Sequence, residues 1–239
     1  MPIGAITNSL AVLFGGLIGA LLGNKVPDRL RLALPLTLGV ASMAMGIDYI
    51  VELNSLAAVI LSIILGSALG ELIMLEKGIE WCAVQVHGKI DRLFANKGMI
   101  VNNEGFMEKF VAILILFTAS GTGIFGALIE GMTADHSVLL VKSILDFVTA
   151  GIFATALGYI VMTIAVPQFM IFISLFLSGS FILPMTTPFM IADFMAVGGI
   201  IMLATGFRIC GLKAFPIANM LPALILVMPI SYLWTTFIL

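Results

Sequence analysis

The apolar residues of this chain form long continuous runs and do not alternate with polar residues. A bilayer crossing needs about 20 mostly apolar residues. Eight runs approach this length: residues 3–23, 33–51, 55–75, 109–129, 138–162, 165–182, 190–209 and 217–238. Membrane strands would instead show a two-residue alternation. The pattern therefore predicts an all-α polytopic membrane protein with about eight transmembrane helices.

The composition supports this class. Of 239 residues, 61% are apolar and 10% are charged, against about 25% charged in an average soluble domain. These values exclude a soluble globular protein, a disordered chain and a disulfide scaffold. Eight crossings leave no room for a separate soluble enzyme, so residues 1–239 are predicted to form a single integral membrane domain.

The cationic residues fall almost entirely in loops on one side of the predicted membrane. The loops after the first, third and seventh runs contain Lys25, Arg29, Arg31, Lys77, Lys89, Arg92, Lys97, Lys109, Arg208 and Lys213. The opposite loops contain no cation. Since Lys and Arg favour cytoplasmic loops, we expect both termini outside the cell. Cys82 and Cys210 then face the reducing side, where free thiols are expected.

The long connector, residues 76–108, has apolar residues at helical spacing. It is predicted to form an amphipathic cytoplasmic helix with Trp81 near the lipid headgroups, or a direct extension of the third span. It is either a simple connector or a segment that binds a partner or lipid.

Two weak similarities indicate an internal duplication. Val26-Pro27, Gly39 and Gly66 recur 140 residues later as Val166-Pro167, Gly179 and Gly206. This offset would give a parallel repeat of four plus four helices. A competing match between the stretches starting at Asn54 and Asn219 would imply an inverted repeat, so the symmetry stays open.

Small residues recur every four positions in several spans, as in Gly15, Gly19 and Gly23. The stripes Ser62, Gly66, Gly70 and Ala150, Ala154, Gly158 have the same spacing. Such stripes let helices approach closely in lipid. They predict tight packing within the chain, or a subunit interface. Because twofold oligomers are common, we also expect a homodimer.

The fourth span combines hydroxyl residues with glycines: Thr118, Ser120 and Thr122 lie beside Gly121, Gly123 and Gly126. Glycines lower helix stability. The span is therefore either a tightly packed glycine-rich helix or a broken helix whose freed carbonyls line a cavity. Pro222 and Pro229 predict a kink in the last span.

Charged residues within apolar spans are costly and mark candidate sites. Asp146 is the deepest, and Lys142 is four residues earlier on the same helical face. The two form either a structural ion pair or, with Asn8, an ion or proton site. Carboxylate, amide and hydroxyl oxygens would suit a hard cation such as Na⁺.

Other polar residues lie nearer the predicted membrane surfaces. Glu71 and Arg208 are expected to pair at the cytoplasmic surface or to face the headgroups, close to Asn219. Asp48 and Asp193 are expected to be shallow and solvated.

Enzyme signatures are missing from the sequence. His87 and His136 lie on opposite predicted sides, and no metalloprotease or phosphate-binding motif occurs. We therefore expect no catalytic residues, no metal, no cofactor and no nucleic-acid partner.

Several motifs together resemble those of the YqgA-like family (domain of unknown function 554). They are Phe117-Thr-Ala-Ser-Gly-Thr-Gly with Glu130-Gly131, Lys142-Ser143-x-x-Asp146, Asn219-x-Leu-Pro-Ala-Leu224, Gly70-Glu71, and Asn8 with the first-span glycines. That family comprises prokaryotic integral membrane proteins without an established activity. The resemblance implies a multi-pass protein of the cytoplasmic (inner) membrane.

The sequence favours a secondary transporter or channel for a small solute or cation, in contact with membrane lipid. Its candidate transport or ion-binding residues are Asp146, Lys142, Asn8, Ser120, Thr122, Glu71, Ser143 and Asn219. The alternative is a non-transporting scaffold that acts through residues 76–108.

Overall fold

A computed structural model describes residues 1–79, 81, 110, 113–114, 116–118 and 120–237, and their regular structure is entirely helical. The α-helices are α1 (Ile3–Leu22), α2 (Asp28–Val51), α3 (Leu56–Leu72), α4 (Gly121–Thr133), α5 (Ser137–Leu157), α6 (Ala165–Ile182), α7 (Pro188–Ile209), α8 (Ile217–Met220) and α9 (Pro222–Phe237). Short 3-10 helices cover Gly23–Lys25, Gly158–Ile164 and Leu183–Met185. The all-helical class is therefore confirmed for these residues. Most of the 76–108 connector, including Cys82, lies outside them.

Within the described ranges, four helical segments are long and apolar enough to cross a membrane. They are Ile3–Leu22, Ser137–Met185, Pro188–Ile209 and Ile217–Phe237. The apolar parts of α2 and α3, Leu36–Val51 and Leu56–Leu72, are shorter. Most helix positions follow the apolar runs closely, although α2 starts at Asp28, five residues before its predicted span. The fourth run, 109–129, is described only in part, and α4 continues past it to Thr133.

The 49-residue segment Ser137–Met185 folds back on itself at the 3-10 helix. Gly158, with φ of 72°, ends α5 in a backbone region that other residues rarely adopt. The side chain of Gln168 on α6 reaches Asp146 on α5, 22 residues earlier. A straight helix would separate them by about 33 Å. Helices α5 and α6 are thus two helices of a hairpin.

Close pairs of helices build the structure, and small residues lie at their contacts. In α1, Gly15 packs on the backbone of Phe147 and Gly19 on Gly151. In α3, Gly66 packs on Ala223 and Gly70 on Asn219. These glycines pack against other helices of the same chain, as the hypothesis of tight packing within the chain predicts. Gly23, by contrast, has no neighbour that a Cβ would meet, and the homodimer stays a prediction.

The helices form two groups with helix α4 between them. Helices α1, α5 and α6 pack together, and α2, α3, α7 and α9 form the other group. Phe125 of α4 packs against the rings of Tyr49 (5.3 Å) and Phe194 (5.4 Å) and against Gly198 of α7. The two groups are therefore joined through the apolar side chains of α4.

The two ends of the helix bundle differ in charge. One end, here the Glu130 end, gathers the first residues of α1, α3, α5 and α7. The other, the Arg208 end, gathers the last residues of the same helices. Among the cations whose side chains are described, those at the Arg208 end are Lys25, Arg29, Lys77, Arg208 and Lys213. Lys142, by contrast, lies in the first half of α5 and is buried.

Two acidic residues at the Glu130 end are buried, including Asp193, which we expected to be solvated. Glu130 is 1% exposed and accepts hydrogen bonds from the backbone N–H groups of Gly4 (2.7 Å) and Ala5 (3.3 Å). Asp193 is fully buried and accepts from the N–H groups of Asn54 (2.9 Å) and Ser55 (2.7 Å). Each carboxylate caps the start of a distant helix. The expectation that Asp193 is solvated was therefore wrong.

Candidate functional site at the Lys142–Asp146 pair

The most buried ion pair of the described residues lies in the middle of α5. The Lys142 Nζ atom is 2.8 Å from Oδ1 and 2.7 Å from Oδ2 of Asp146. The two side chains are 5% and 8% exposed. Their spacing of four residues on one helix face lets the pair form within a single helix. Burial removes both charges from water, so each needs the other to offset the cost of desolvation.

Two amides from other helices complete the coordination of Asp146. Asn8 of α1 donates from Nδ2 to Oδ2 of Asp146 (3.0 Å), and Gln168 of α6 donates from Nε2 to the same oxygen (3.0 Å). Gln168 also donates to Oδ1 of Asn8 (2.7 Å). Both amides are fully buried. The network therefore joins α1, α5 and α6 at one level of the bundle.

The fourth predicted span is broken next to this network. Residues 116–118 are helical, whereas Ser120 is extended (φ −70°, ψ 139°) and is the N-cap of α4. Its Oγ accepts a hydrogen bond from the N–H of Gly123 (3.1 Å). The carbonyl of Phe117 accepts from Gln168 Nε2 (3.4 Å). Among the described residues the span is therefore interrupted at Ser120, and side chains pair with backbone groups on both sides of the interruption.

The first turn of α4 lies directly against Lys142. A Cβ atom added to Gly123 would be 2.9 Å from Cε of Lys142 and 2.5 Å from Cζ of Phe172. The Phe117 ring lies 5.9 Å from the Lys142 ammonium, within the range of a cation–π contact. Glycine at this position therefore lets the start of a helix approach a buried cation.

A cavity of about 400 Å³ opens from the ion pair. Along α5 it is lined by Lys142, Leu145, Asp146, Thr149, Ile152 and Phe153, which share one helix face. Ser120 and Thr122 line it from α4, and Arg208 and Glu76 line it at the Arg208 end. The cavity therefore follows α5 for about 16 Å, between the two groups of helices.

A second polar cluster lies at the Arg208 end of the helix bundle. Arg208 Nη1 is 2.8 Å from Oε1 of Glu76 and 3.1 Å from the carbonyl of Phe215. Asn219 donates from Nδ2 to Glu71 and accepts from the N–H of Glu76 (2.8 Å). Arg208 therefore pairs with Glu76 and not with Glu71 as we expected, because the chain after α3 brings Glu76 back over α7.

The eight candidate residues from the sequence separate into three sets. Asp146, Lys142 and Asn8 meet in one network, and Ser120 and Thr122 line the cavity beside it. Glu71 and Asn219 bond to each other at the Arg208 end. Ser143 donates to the carbonyl of Leu139 in its own helix (2.6 Å) and does not line the cavity, so it does not join the network.

Sequence reasoning missed Gln168, which is the only amide in its predicted span. A single amide within an apolar span is a signal that could have marked Gln168 as a candidate. Nothing in the sequence marked Glu76, Thr149, Ser42 or Thr205 as cavity-lining, since hydroxyl residues are common in apolar helices, where they bond to their own backbone.

The chain also matches a known family model. The model for "Protein of unknown function (DUF554)" covers residues 3–232. The chain belongs to the DUF554 family. The resemblance to YqgA-like proteins is confirmed by this match.

Two relatives with curated descriptions span nearly the same length. "Uncharacterized protein YqgA" of Escherichia coli (strain K12) is 48% identical over 235 residues, which is 98% of each chain. "Uncharacterized membrane protein YdfK" of Bacillus subtilis (strain 168) is 25% identical over 227 residues, 93% of each chain. No solved structure matches significantly. The description of YdfK as a membrane protein agrees with the apolar helices found here.

Proposed function

We propose that this DUF554 member is a secondary transporter or channel for a small solute or ion, with its binding site at the Lys142–Asp146 pair. The observation that carries the proposal is that a buried ion pair lines a cavity instead of being sealed within packed side chains. Charged residues inside apolar helices are costly and mostly line substrate or ion pathways.

A purely structural ion pair explains less of this arrangement. Well-packed apolar residues stabilise a protein as well as a buried pair does, or better. Here the pair sits beside a helix break and at one end of a cavity with hydroxyl groups along it. Transporters commonly place their substrate site at such discontinuous helices, between two groups of helices.

The proposal includes the membrane arrangement. Eight crossings place the Arg208 end, with its cations, at the cytoplasmic surface of the inner membrane and the Glu130 end with both termini outside. The cavity would then reach the cytoplasmic side at Arg208 and Glu76. An internal duplication of four plus four helices belongs to the same proposal and would supply two related halves.

Flux through purified protein tests the proposal. Proteoliposomes would be offered labelled monocarboxylates, amino acids, sugars, Na⁺ and Cl⁻ separately. At least one solute should enter faster than into protein-free liposomes, and Asp146→Asn should reduce that entry at least tenfold.

Thr155→Val serves as the matched control, because Thr155 is on the same helix but does not line the cavity. The control should keep wild-type uptake. If no solute enters, or if Asp146→Asn keeps full uptake of every solute, the transport proposal is wrong. A silent Asp146→Asn together with a phenotype from loss of residues 76–108 would favour the scaffold.

A further inference from the structure

We propose that the solute bound at this site carries a carboxylate, and that the start of α4 with Thr122, Ser120 and Lys142 binds it. This inference rests on the proposed function only for the step of transport. Binding at the site is a separate property and can be measured separately.

The coordination of Asp146 disfavours a bound cation. Four hydrogen bonds already reach its two oxygens: two from Lys142, one from Asn8 and one from Gln168. A metal cation at this carboxylate would have to displace donors and approach the Lys142 ammonium. A cation bound at this carboxylate and the Lys142 ammonium would repel each other strongly, because a buried site screens charges weakly.

The start of α4 adds positive potential beside the ion pair. The first N–H groups of a helix have no partner within the helix, and the helix dipole places partial positive charge there. Helix α4 has 13 residues, and its first turn lies against Lys142, next to Gly123. The pair itself is neutral, so the helix start leaves the region with excess positive potential.

An unused hydroxyl group at the same place points independently to a ligand. Thr122 is 4% exposed and lines the cavity, yet its hydroxyl has no hydrogen bond to any described residue. Because the residue lines the cavity, its hydroxyl can bond to a molecule bound there. In contrast, the hydroxyls of Thr149 and Thr205, which also line the cavity, donate to carbonyls of their own helices.

Two further donors point to the same chemistry. Ser120 uses its Oγ as an acceptor for Gly123 N–H, and its hydroxyl hydrogen has no acceptor among the described residues. Lys142 has three N–H donors, and its two hydrogen bonds go to the two Asp146 oxygens. A carboxylate can accept from hydroxyl and ammonium donors together, and bonds to a charged acceptor are the stronger kind.

The rest of the cavity fits an apolar body attached to the anionic group. Nonpolar side chains surround the space beyond the polar residues: Leu38, Ile113, Leu116, Leu145, Ile152 and Phe153. A volume of about 400 Å³ is near the lower end for small-molecule pockets. A short-chain organic acid matches both features.

Thermal unfolding of the purified full-length protein tests the inference with isosteric probes. Acetate, butyrate and valerate would be compared with the matching primary amides and alkylammonium ions, at equal ionic strength set by NaCl. The carboxylates should raise the melting temperature with concentration, and more strongly with chain length, whereas amides and ammonium ions should not.

The variant Thr122→Val removes only the unused hydroxyl and keeps the side-chain shape. It should weaken the butyrate-induced shift so that about tenfold more butyrate is needed, since a hydrogen bond to a charged group is lost. The melting temperature without butyrate should be unchanged. Thr155→Val, away from the cavity, should respond to butyrate like the wild type.

Three results would overturn the carboxylate site: no carboxylate shifts the melting temperature beyond NaCl, the amides or ammonium ions shift it equally, or Thr122→Val responds like the wild type. The flux assay separates this failure from that of the proposed function. Asp146-dependent uptake of a neutral or cationic solute would leave the transporter intact and refute the carboxylate. Butyrate binding without flux of any solute would support the carboxylate site and refute the transporter.

Discussion

Asn8 on the first helix donates a hydrogen bond to Asp146 on the fifth, across 138 residues of sequence and a distance of 3.0 Å. This bond ties the packing of α1 on α5 to the charge state of the site. The same oxygen of Asp146 also accepts from Lys142 and Gln168, so any change at Asp146 alters three helices at once.

Loss of the Asp146 charge should affect stability and function differently. Asp146→Asn leaves Lys142 as a buried unpaired cation, which costs about 3–5 kcal/mol. The melting temperature should fall, and uptake should be lost. Thermal unfolding and liposome flux measure the two effects.

The double variant Lys142→Met with Asp146→Leu separates these effects. It removes both charges and roughly keeps side-chain volume, so the cost of the unpaired cation should disappear. The remaining loss of stability should come from the Asn8 and Gln168 donors that lose Asp146 as an acceptor, while uptake stays absent. Recovery of uptake in the double variant would contradict a role for the ion pair in binding.

The glycine contacts predict where extra volume is tolerated. Gly19→Ala would push a Cβ atom into the backbone of Gly151, and overpacking of this kind costs about 1–3 kcal/mol. We expect a lower melting temperature for Gly19→Ala. Gly78→Ala is the control, because nothing lies within 4 Å of its added Cβ; equal stability of the two variants would refute the close α1–α5 contact.

The buried carboxylate of Asp193 should be essential for folding at the Glu130 end. It accepts bonds from two N–H groups at the start of α3 and from the hydroxyl of Ser231 (2.6 Å). Asp193→Leu would strand these donors, at about 1–3 kcal/mol for each buried group. Asp48→Leu changes an exposed acid, and its melting temperature should stay near that of the wild type; an equally mild Asp193→Leu would argue against the cap.

Cysteine labelling tests the sidedness of the two ends. In a background with Cys82→Ser and Cys210→Ser, Glu52→Cys should react with an impermeant maleimide in intact cells. Lys213→Cys should react only after the inner membrane is permeabilised. Both positions are exposed. Labelling of both from the same side would be incompatible with eight crossings and external termini.

The sequence anticipated much of the site because the signals were local. Lys142 and Asp146 are four residues apart, so helical geometry alone brings them together. The hydroxyls and glycines around Ser120 signalled a possible break because glycine weakens a helix within its own turn. The glycine stripes likewise predicted close packing without naming the partner helix.

The errors concern residues whose environment depends on distant parts of the chain. Asp193 looked solvated from its position near a helix start, yet the N–H groups of Asn54 and Ser55 reach it from another loop. Glu71 was the expected partner of Arg208, and the path of the chain after α3 brought Glu76 to it instead.

The sequence by itself determined that this protein is helical and apolar, that its cations gather on one set of loops, and that one embedded ion pair lies on α5. Length, period and charge placement are properties of single segments, so they can be read without a fold. Only the tertiary structure decided that Asn8 and Gln168 meet Asp146 and that Glu130 and Asp193 cap other helices. It also decided that Thr122 faces a cavity, where its hydroxyl has no partner in the part of the chain that the structure describes. Those features depend on which helix faces pack together, and many apolar faces here are too similar in sequence to specify their partners.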